Sequence, residues 1–120
     1  MTQTIKATFG TEDLDGQMKV FNAQTGAALS LKHLDSSQPV TVTDIYQYSD
    51  HVAEYDKEMA ITVLYTKEHG AVSTISSTIT DTASKLIDLM NNMKLDEVVV
   101  KVVKSTSGKG NEFFNLAVIS

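Results

Sequence analysis

The sequence predicts a mainly β domain: a small five-stranded barrel with one helix between strands three and four, plus an N-terminal β-hairpin extension. Three observations carry this. Residues 40–77 contain runs in which apolar and polar side chains alternate, as in half-buried strands. Ala83, Leu86, Ile87, Met90 and Met93 then fall at helical spacing. Finally, two apolar runs, Val98-Val-Val-Lys-Val-Val103 and Phe113-Phe-Asn-Leu-Ala-Val-Ile119, flank a glycine loop. The 120 residues are expected to form a single domain, with 1–39 as N-terminal β extension and linker and 40–120 as the barrel.

The elements follow in order. Ile5, Ala7 and Phe9 alternate with polar residues, as in a short strand. Met18-Lys-Val-Phe21 and Ala28-Leu-Ser-Leu31 flank Asn22-Ala-Gln-Thr-Gly26 and read as a hairpin. Asp35-Ser-Ser-Gln-Pro39 is a break, and Pro39 suits a strand start because it lacks an N–H donor. In the first barrel strand Val40 and Val42 share a face, then the alternation slips so that Ile45 takes the inward position. A β-bulge near Thr43 and Asp44 explains the slip. Residues 51–57 are polar and acidic and read as a loop. In the second strand Met59, Ile61, Val63 and Tyr65 alternate with Ala60, Thr62, Leu64 and Thr66, and the first set is assigned to the core. Lys67-Glu-His-Gly70 is a tight turn, and residues 71–77 are a third strand. Thr80 or Asp81 is expected to cap the helix, with Asn91, Asn92 and Lys94 at its end. Residues 98–104 and 112–119 complete the strands. From residue 40 onward this is the element order of the OB fold.

Composition narrows the function. The ten cations are all lysine, so no guanidinium fork is available to read a guanine edge or clamp a carboxylate, and sequence-specific duplex reading is not expected. The net charge of −5 opposes phosphate binding overall, but Lys101, Lys104 and Lys109 run without an intervening acid. The chain has no cysteine, which excludes disulfides and thiol chemistry. His33, His51 and His69 form no ligand pair, and no Ser–His–acid arrangement can be placed. Hence no enzyme activity, catalytic residue, metal or cofactor is expected. No apolar run approaches the length of a membrane span, so no membrane association is expected.

The runs Val42-Thr-Asp-Ile-Tyr-Gln-Tyr48, Thr78-Ile-Thr-Asp-Thr-Ala-Ser-Lys-Leu-Ile-Asp-Leu89, Val99-Val-Lys-Val-Val-Lys104, Ser107-Gly-Lys109 and Phe113-Phe-Asn-Leu116 add a resemblance. In order and spacing the chain resembles the OB-fold single-stranded DNA-binding proteins of bacteriophages infecting Gram-positive bacteria, the lactococcal phage type in particular. The likeness covers residues 40–120, not the N-terminal 35. It implies a sequence-nonspecific protein of a bacteriophage that protects single-stranded DNA during replication and recombination, in the cytoplasm of the bacterial host. The weak positive charge suggests that one protomer binds modestly, so a homo-oligomer, dimer or tetramer, is expected to raise avidity, with the N-terminal hairpin as the subunit contact and phage recombination or replication proteins as further candidate partners. There is no acidic, Pro-Phe-terminated tail, so recruitment through one is not expected. A non-enzymatic phage structural or interaction protein of β-rich fold is the alternative, since an acidic chain without arginine fits it as well.

A single-strand binder needs aromatic rings on which bases stack and cations that follow the phosphates. The aromatic candidates are Tyr46 and Tyr48 on one strand face, Tyr55 in the following loop and Phe113 at the start of the last strand. The cationic candidates are Lys57 and Lys67 at turns and Lys101, Lys104 and Lys109 near the C-terminus. Ser107-Gly-Lys-Gly110 is a loop whose N–H groups could approach a backbone. The acidic Asp50, Glu54, Asp56 and Glu58 crowd the same expected groove mouth.

Overall fold

A computed structural model describes residues 3–10, 12–24, 29–31, 38–53, 55–106, 108–110 and 112–119. The elements run β1 (Gln3–Ala7), α1 (Leu14–Gln24), β2 (Leu29–Ser30), β3 (Pro39–Val52), β4 (Lys57–Thr66), β5 (Gly70–Thr74), α2 (Ser77–Met93), β6 (Val98–Thr106) and β7 (Glu112–Val118). The fold is mainly β, with one helix on each face of a single sheet. No helix among the described residues is long and apolar enough to cross a membrane.

β3 organises the sheet. Along one edge Val42–Val52 pairs antiparallel with β4. Along the other edge Pro39–Val42 pairs with β6, and Tyr46–Ser49 pairs with β1. The expected bulge is present, as the β3–β4 register shifts between Val42 and Asp44. An extra residue there bends the strand and sharpens its twist, which lets one strand serve neighbours in two directions. The strand order is β2-β5-β4-β3-β6-β7, with β1 beside β3.

The two faces carry separate clusters. On one, Val40, Val42, Ile45, Leu64, Val72 and the β6 residues Val98, Val100 and Val102 pack against Ile79, Ala83, Leu86, Ile87 and Met90 of α2. A buried polar chain stitches helix to sheet: Gln47 Nε2 donates to Thr62 Oγ1 (3.1 Å) and to the Thr80 carbonyl (2.8 Å). On the other face Tyr46, Tyr48 and Val63 pack against Ala23 of α1, with Phe9, Val20, Ile61, Tyr65 and Ala71 around them.

Five expectations change. The five-stranded barrel is not closed among the described residues: the outer edge of β5 is taken by β2, in parallel, and β7 pairs with β6 alone. The first arm of the N-terminal hairpin is helix α1 instead; Leu29–Ser30 of its second arm is strand but pairs with β5, and residues 25–28 lie outside the described residues. Asp13 starts this helix, accepting the Gly16 N–H on Oδ1 (2.7 Å) and the Gln17 N–H on its carbonyl (2.9 Å), which satisfies donors that a helix start leaves free. The loop expected at 51–57 is shorter, because β3 and β4 stay paired out to Val52 and Lys57. β5 ends at Thr74 rather than 77, since Ser76, not Thr80 or Asp81, caps α2 by accepting the Ile79 N–H on its hydroxyl. And of β4 the main core takes Leu64, with Thr62 on the same face bonded to Gln47 and Thr80, whereas Ile61, Val63 and Tyr65 face the second cluster. The other end of α2 agrees with expectation: Lys94 adopts a left-handed conformation (φ 54°) and its N–H returns to the Met90 carbonyl.

Candidate nucleic-acid interface

The second cluster is the aromatic centre of the molecule. Tyr46 and Tyr48 are two apart on β3, so both project from the face opposite α2. Across the ladder they meet Val63 and Ile61, while Tyr65 lies opposite Asp44 at the bulge. The Tyr46 and Tyr48 rings stack with centroids 5.2 Å apart at 17°. Phe9, just after β1, tilts against Tyr46 at 6.0 Å and sits edge-on to Tyr65 at 5.8 Å. These separations suit mutual stacking and edge contacts.

The rings are adjacent but covered. Tyr46 is fully buried and Tyr48 is 5 % exposed. Val20 and Ala23 of α1 and the Phe9 ring lie over them. Polar tethers hold the cover in place. Tyr65 Oη donates to the Lys19 carbonyl at 2.7 Å, and Tyr48 Oη donates to the Ala23 carbonyl at 3.5 Å. Lys19 Nζ pairs with Asp44 Oδ2 at 2.6 Å and stands 4.9 Å from the centre of the Phe9 ring. Asp44 also accepts the Thr8 hydroxyl at 2.8 Å. Burial shifts both phenols: Tyr65 is raised well above the ordinary phenol value of 10.0, by burial first and then by Tyr46, Asp44 and Tyr48. Tyr48 is raised by burial first and then by Asp50 and Tyr46.

The other candidates are dispersed. Tyr55 is exposed in the turn between β3 and β4. Lys57 opens β4 and Lys67 follows its end, so an extended strand separates them by on the order of 30 Å. Lys67 pairs with Glu97 at 2.7 Å, which raises its pKa by hydrogen bond and charge. Lys101 lies on the outward face of β6, between the buried Val100 and Val102, and Lys104 is exposed near the end of the same strand. Lys109 is exposed in the turn leading to β7, where Gly110 takes φ +82°. Thus Lys101, Lys104 and Lys109 belong to one hairpin. The backbone of Phe113 pairs with Ser105 in that hairpin, while its side chain, like residues 54 and 107, lies outside the described residues. At the β3–β4 tip, His51 Nε2 meets Asp56 Oδ1 at 3.0 Å, beside exposed Glu58. Among the described residues no three His, Asp or Glu side chains converge as metal ligands would.

Sequence reasoning overlooked Phe9 and Tyr65 as members of the aromatic face. The side of Tyr65 is set by the β3–β4 register, which puts it with Val63 and Ile61 on the face of Tyr46 and Tyr48.

The family model for phage single-stranded DNA-binding proteins of the phi29 type matches residues 1–119. The chain is 44 % identical over 117 residues to the single-stranded DNA-binding proteins of Bacillus phage PZA and Bacillus phage phi29, covering 96 % of this chain and 94 % of each relative. It is 38 % identical over 121 residues to the single-stranded DNA-binding protein of Bacillus phage B103, covering 99 % of both. No solved structure matches. These relatives come from phages of Bacillus, not of lactococci, and the likeness extends through the N-terminal residues that hold β1 and α1. The chain belongs to the phi29-type family of phage single-stranded DNA-binding proteins.

Proposed function

We propose that the protein binds single-stranded DNA with little sequence preference and keeps it unpaired and protected during phage replication and recombination, in the cytoplasm of the bacterial host. The observation that carries this is the 44 % identity along almost the whole chain to proteins named as single-stranded DNA-binding proteins. The same match leaves nothing in favour of a phage structural protein. No catalytic step is involved; the protein acts by occupancy.

Bases stack on aromatic rings, each worth about 1–3 kcal/mol, and lysines follow the phosphates. Tyr46, Tyr48, Tyr55 and Phe113 are the proposed ring contacts, and Lys57, Lys67, Lys101, Lys104 and Lys109 the phosphate contacts. The β6–β7 hairpin brings three of these lysines closer together than the two ends of β4 do, although Lys101 and Lys104, three apart on β6, project from opposite faces of the strand. We read β3, β4, β5, α2, β6 and β7 as an opened OB arrangement, supported by the element order and by the long bent strand shared between β4 and β6. Assembly into dimers or tetramers would place several copies on one strand and raise avidity. The exposed Leu14, Met18 and Phe21 of α1 support an outward contact there, with phage replication or recombination proteins as further partners.

The test uses the four tyrosines and the lack of tryptophan. Titration with oligo-dT is expected to quench tyrosine fluorescence, and the affinity should fall as salt rises. Absence of both quenching and salt-dependent binding would remove the reading.

A further inference from the structure

Helix α1 is attached in an unusual orientation. At 100° per residue, Gly16, Lys19, Val20 and Ala23 share the face turned to the sheet. Its large apolar side chains point the other way: Leu14 is 73 %, Met18 59 % and Phe21 66 % exposed. The helix therefore contributes only Val20 and Ala23 as apolar side chains to the aromatic cluster. No backbone hydrogen bond joins it to the sheet among the described residues. Among the described residues, the polar attachments are the Lys19–Asp44 pair, the Lys19 ammonium over the Phe9 ring and two phenol bonds to helix carbonyls, with Gly16 seated close to Gly10. Beneath this thin attachment lie stacked Tyr46 and Tyr48 with Tyr65 alongside, the surface on which nucleobases would stack.

We propose that α1 is a displaceable cover over the DNA-binding face. On this proposal, which rests on the single-stranded DNA reading above, bases replace Val20 and Ala23 against the tyrosines as α1 lifts off the sheet, while β2 keeps its pairing with β5. β1 and Phe9 stay in place, because β1 is laddered to β3 and Lys6 is anchored to Asp88 (2.7 Å) and Ser84 of α2. Two consequences follow. The tyrosines are shielded from unrelated apolar partners until DNA arrives. The apparent affinity is the intrinsic affinity scaled by the fraction of molecules already open.

Gly16 supplies a selective handle. It is buried, and a Cβ added to it would overlap the Gly10 carbonyl. Gly16→Ala should therefore push the first turn of α1 off the Gly10 carbonyl; the Cβ also meets Asp13 Oδ1 at 3.0 Å, so the helix content of the variant is measured beside its affinity. The experiment measures oligo-dT affinity by tyrosine quenching for the wild type, Gly16→Ala and Lys19→Met. It also measures amide hydrogen exchange of residues 14–24 in the wild type, with and without oligo-dT. The expectation is that Gly16→Ala binds roughly tenfold tighter, as when a covered state dominates the free protein. Lys19→Met should also bind tighter, although it removes a positive charge, the opposite of what phosphate attraction alone dictates. In the wild type, exchange in α1 should quicken when oligo-dT binds. Quenching with α1 exchange unchanged or slowed would overturn the cover and leave the DNA reading standing. So would Gly16→Ala and Lys19→Met both binding no tighter. Absence of binding by all three proteins would remove both.

Discussion

Tyr65 carries three loads: its ring meets Phe9 edge-on, its hydroxyl donates to the Lys19 carbonyl, and its burial makes the phenolate costly. Tyr65→Phe keeps the ring and removes the hydroxyl. The loss of one part-buried hydrogen bond is expected to cost about 0.5–1.5 kcal/mol in denaturant unfolding. The same residue sets an alkaline limit. Tyr48 and Tyr65 both ionise above the ordinary 10.0 in the folded state and near it when unfolded. Their contribution is therefore fully present below pH 10.0 and lost as pH rises through the raised folded values. Unfolding curves between pH 8 and 12 should show stability falling above pH 10, with a shallower fall in Tyr65→Phe; a flat profile in the wild type would contradict the assignment. Tyr48→Ala is expected to do more than remove a ring contact. A 5 % exposed aromatic truncated to alanine should cost about 3–5 kcal/mol, so its effect on DNA affinity must be read beside a melt. What was legible at this scale was adjacency. Period-two spacing places Tyr46 beside Tyr48, and the slip before Ile45 places the bulge. The side on which Tyr65 falls was not legible, because both faces of β4 carry apolar residues and sequence alternation does not say which face α2 will take.

At the level of elements, the two helices contrast. α2 was readable because its apolar side chains repeat on one face and all but Met93 of that set are buried. Its start was misplaced because Ser76, Ser77, Thr78, Thr80 and Asp81 are all chemically able to cap, and only the ladder ending at Thr74 selects Ser76. Ser76→Ala should lower stability by about 1 kcal/mol, the usual cost of losing an N-cap hydroxyl, whereas Asp81→Ala on the exposed face should stay within about 0.5 kcal/mol. Equal losses for the two substitutions, measured by thermal or denaturant unfolding, would move the cap. α1 was misread as a strand for a physical reason. Its large apolar residues are spaced as a helix would space them, at 14, 18 and 21, but they face solvent, while a glycine, a valine and an alanine face the sheet. A core-seeking reading finds no helix there. The signal that was available is Asp13 placed to cap Gly16 and Gln17.

For the molecule as a whole, charge decides how the proteins of such a chain can hold DNA. A net charge of −5 without arginine makes long-range attraction to a polyanion weak, so the proposed binding is assigned to local lysines and to stacking. Three lysines on the β6–β7 hairpin form the densest cationic run, on the opposite flank of β3 from the acidic β3–β4 tip that holds Asp56 and Glu58. Each neutralised phosphate on a single strand contributes about −0.7 to the slope of log affinity against log salt concentration. If Lys101, Lys104 and Lys109 each hold one phosphate, they account for a slope of about −2. Replacing all three by methionine should therefore weaken oligo-dT binding at low salt and flatten the salt dependence by about that amount. Tyrosine quenching at saturating DNA should stay unchanged, because the rings are on β3 and β4. The three positions are outside both buried clusters, so the melting temperature is a fair control. A triple variant that keeps the wild-type slope would place the phosphate track elsewhere, with Lys57 and Lys67 at the ends of β4 the next pair to replace.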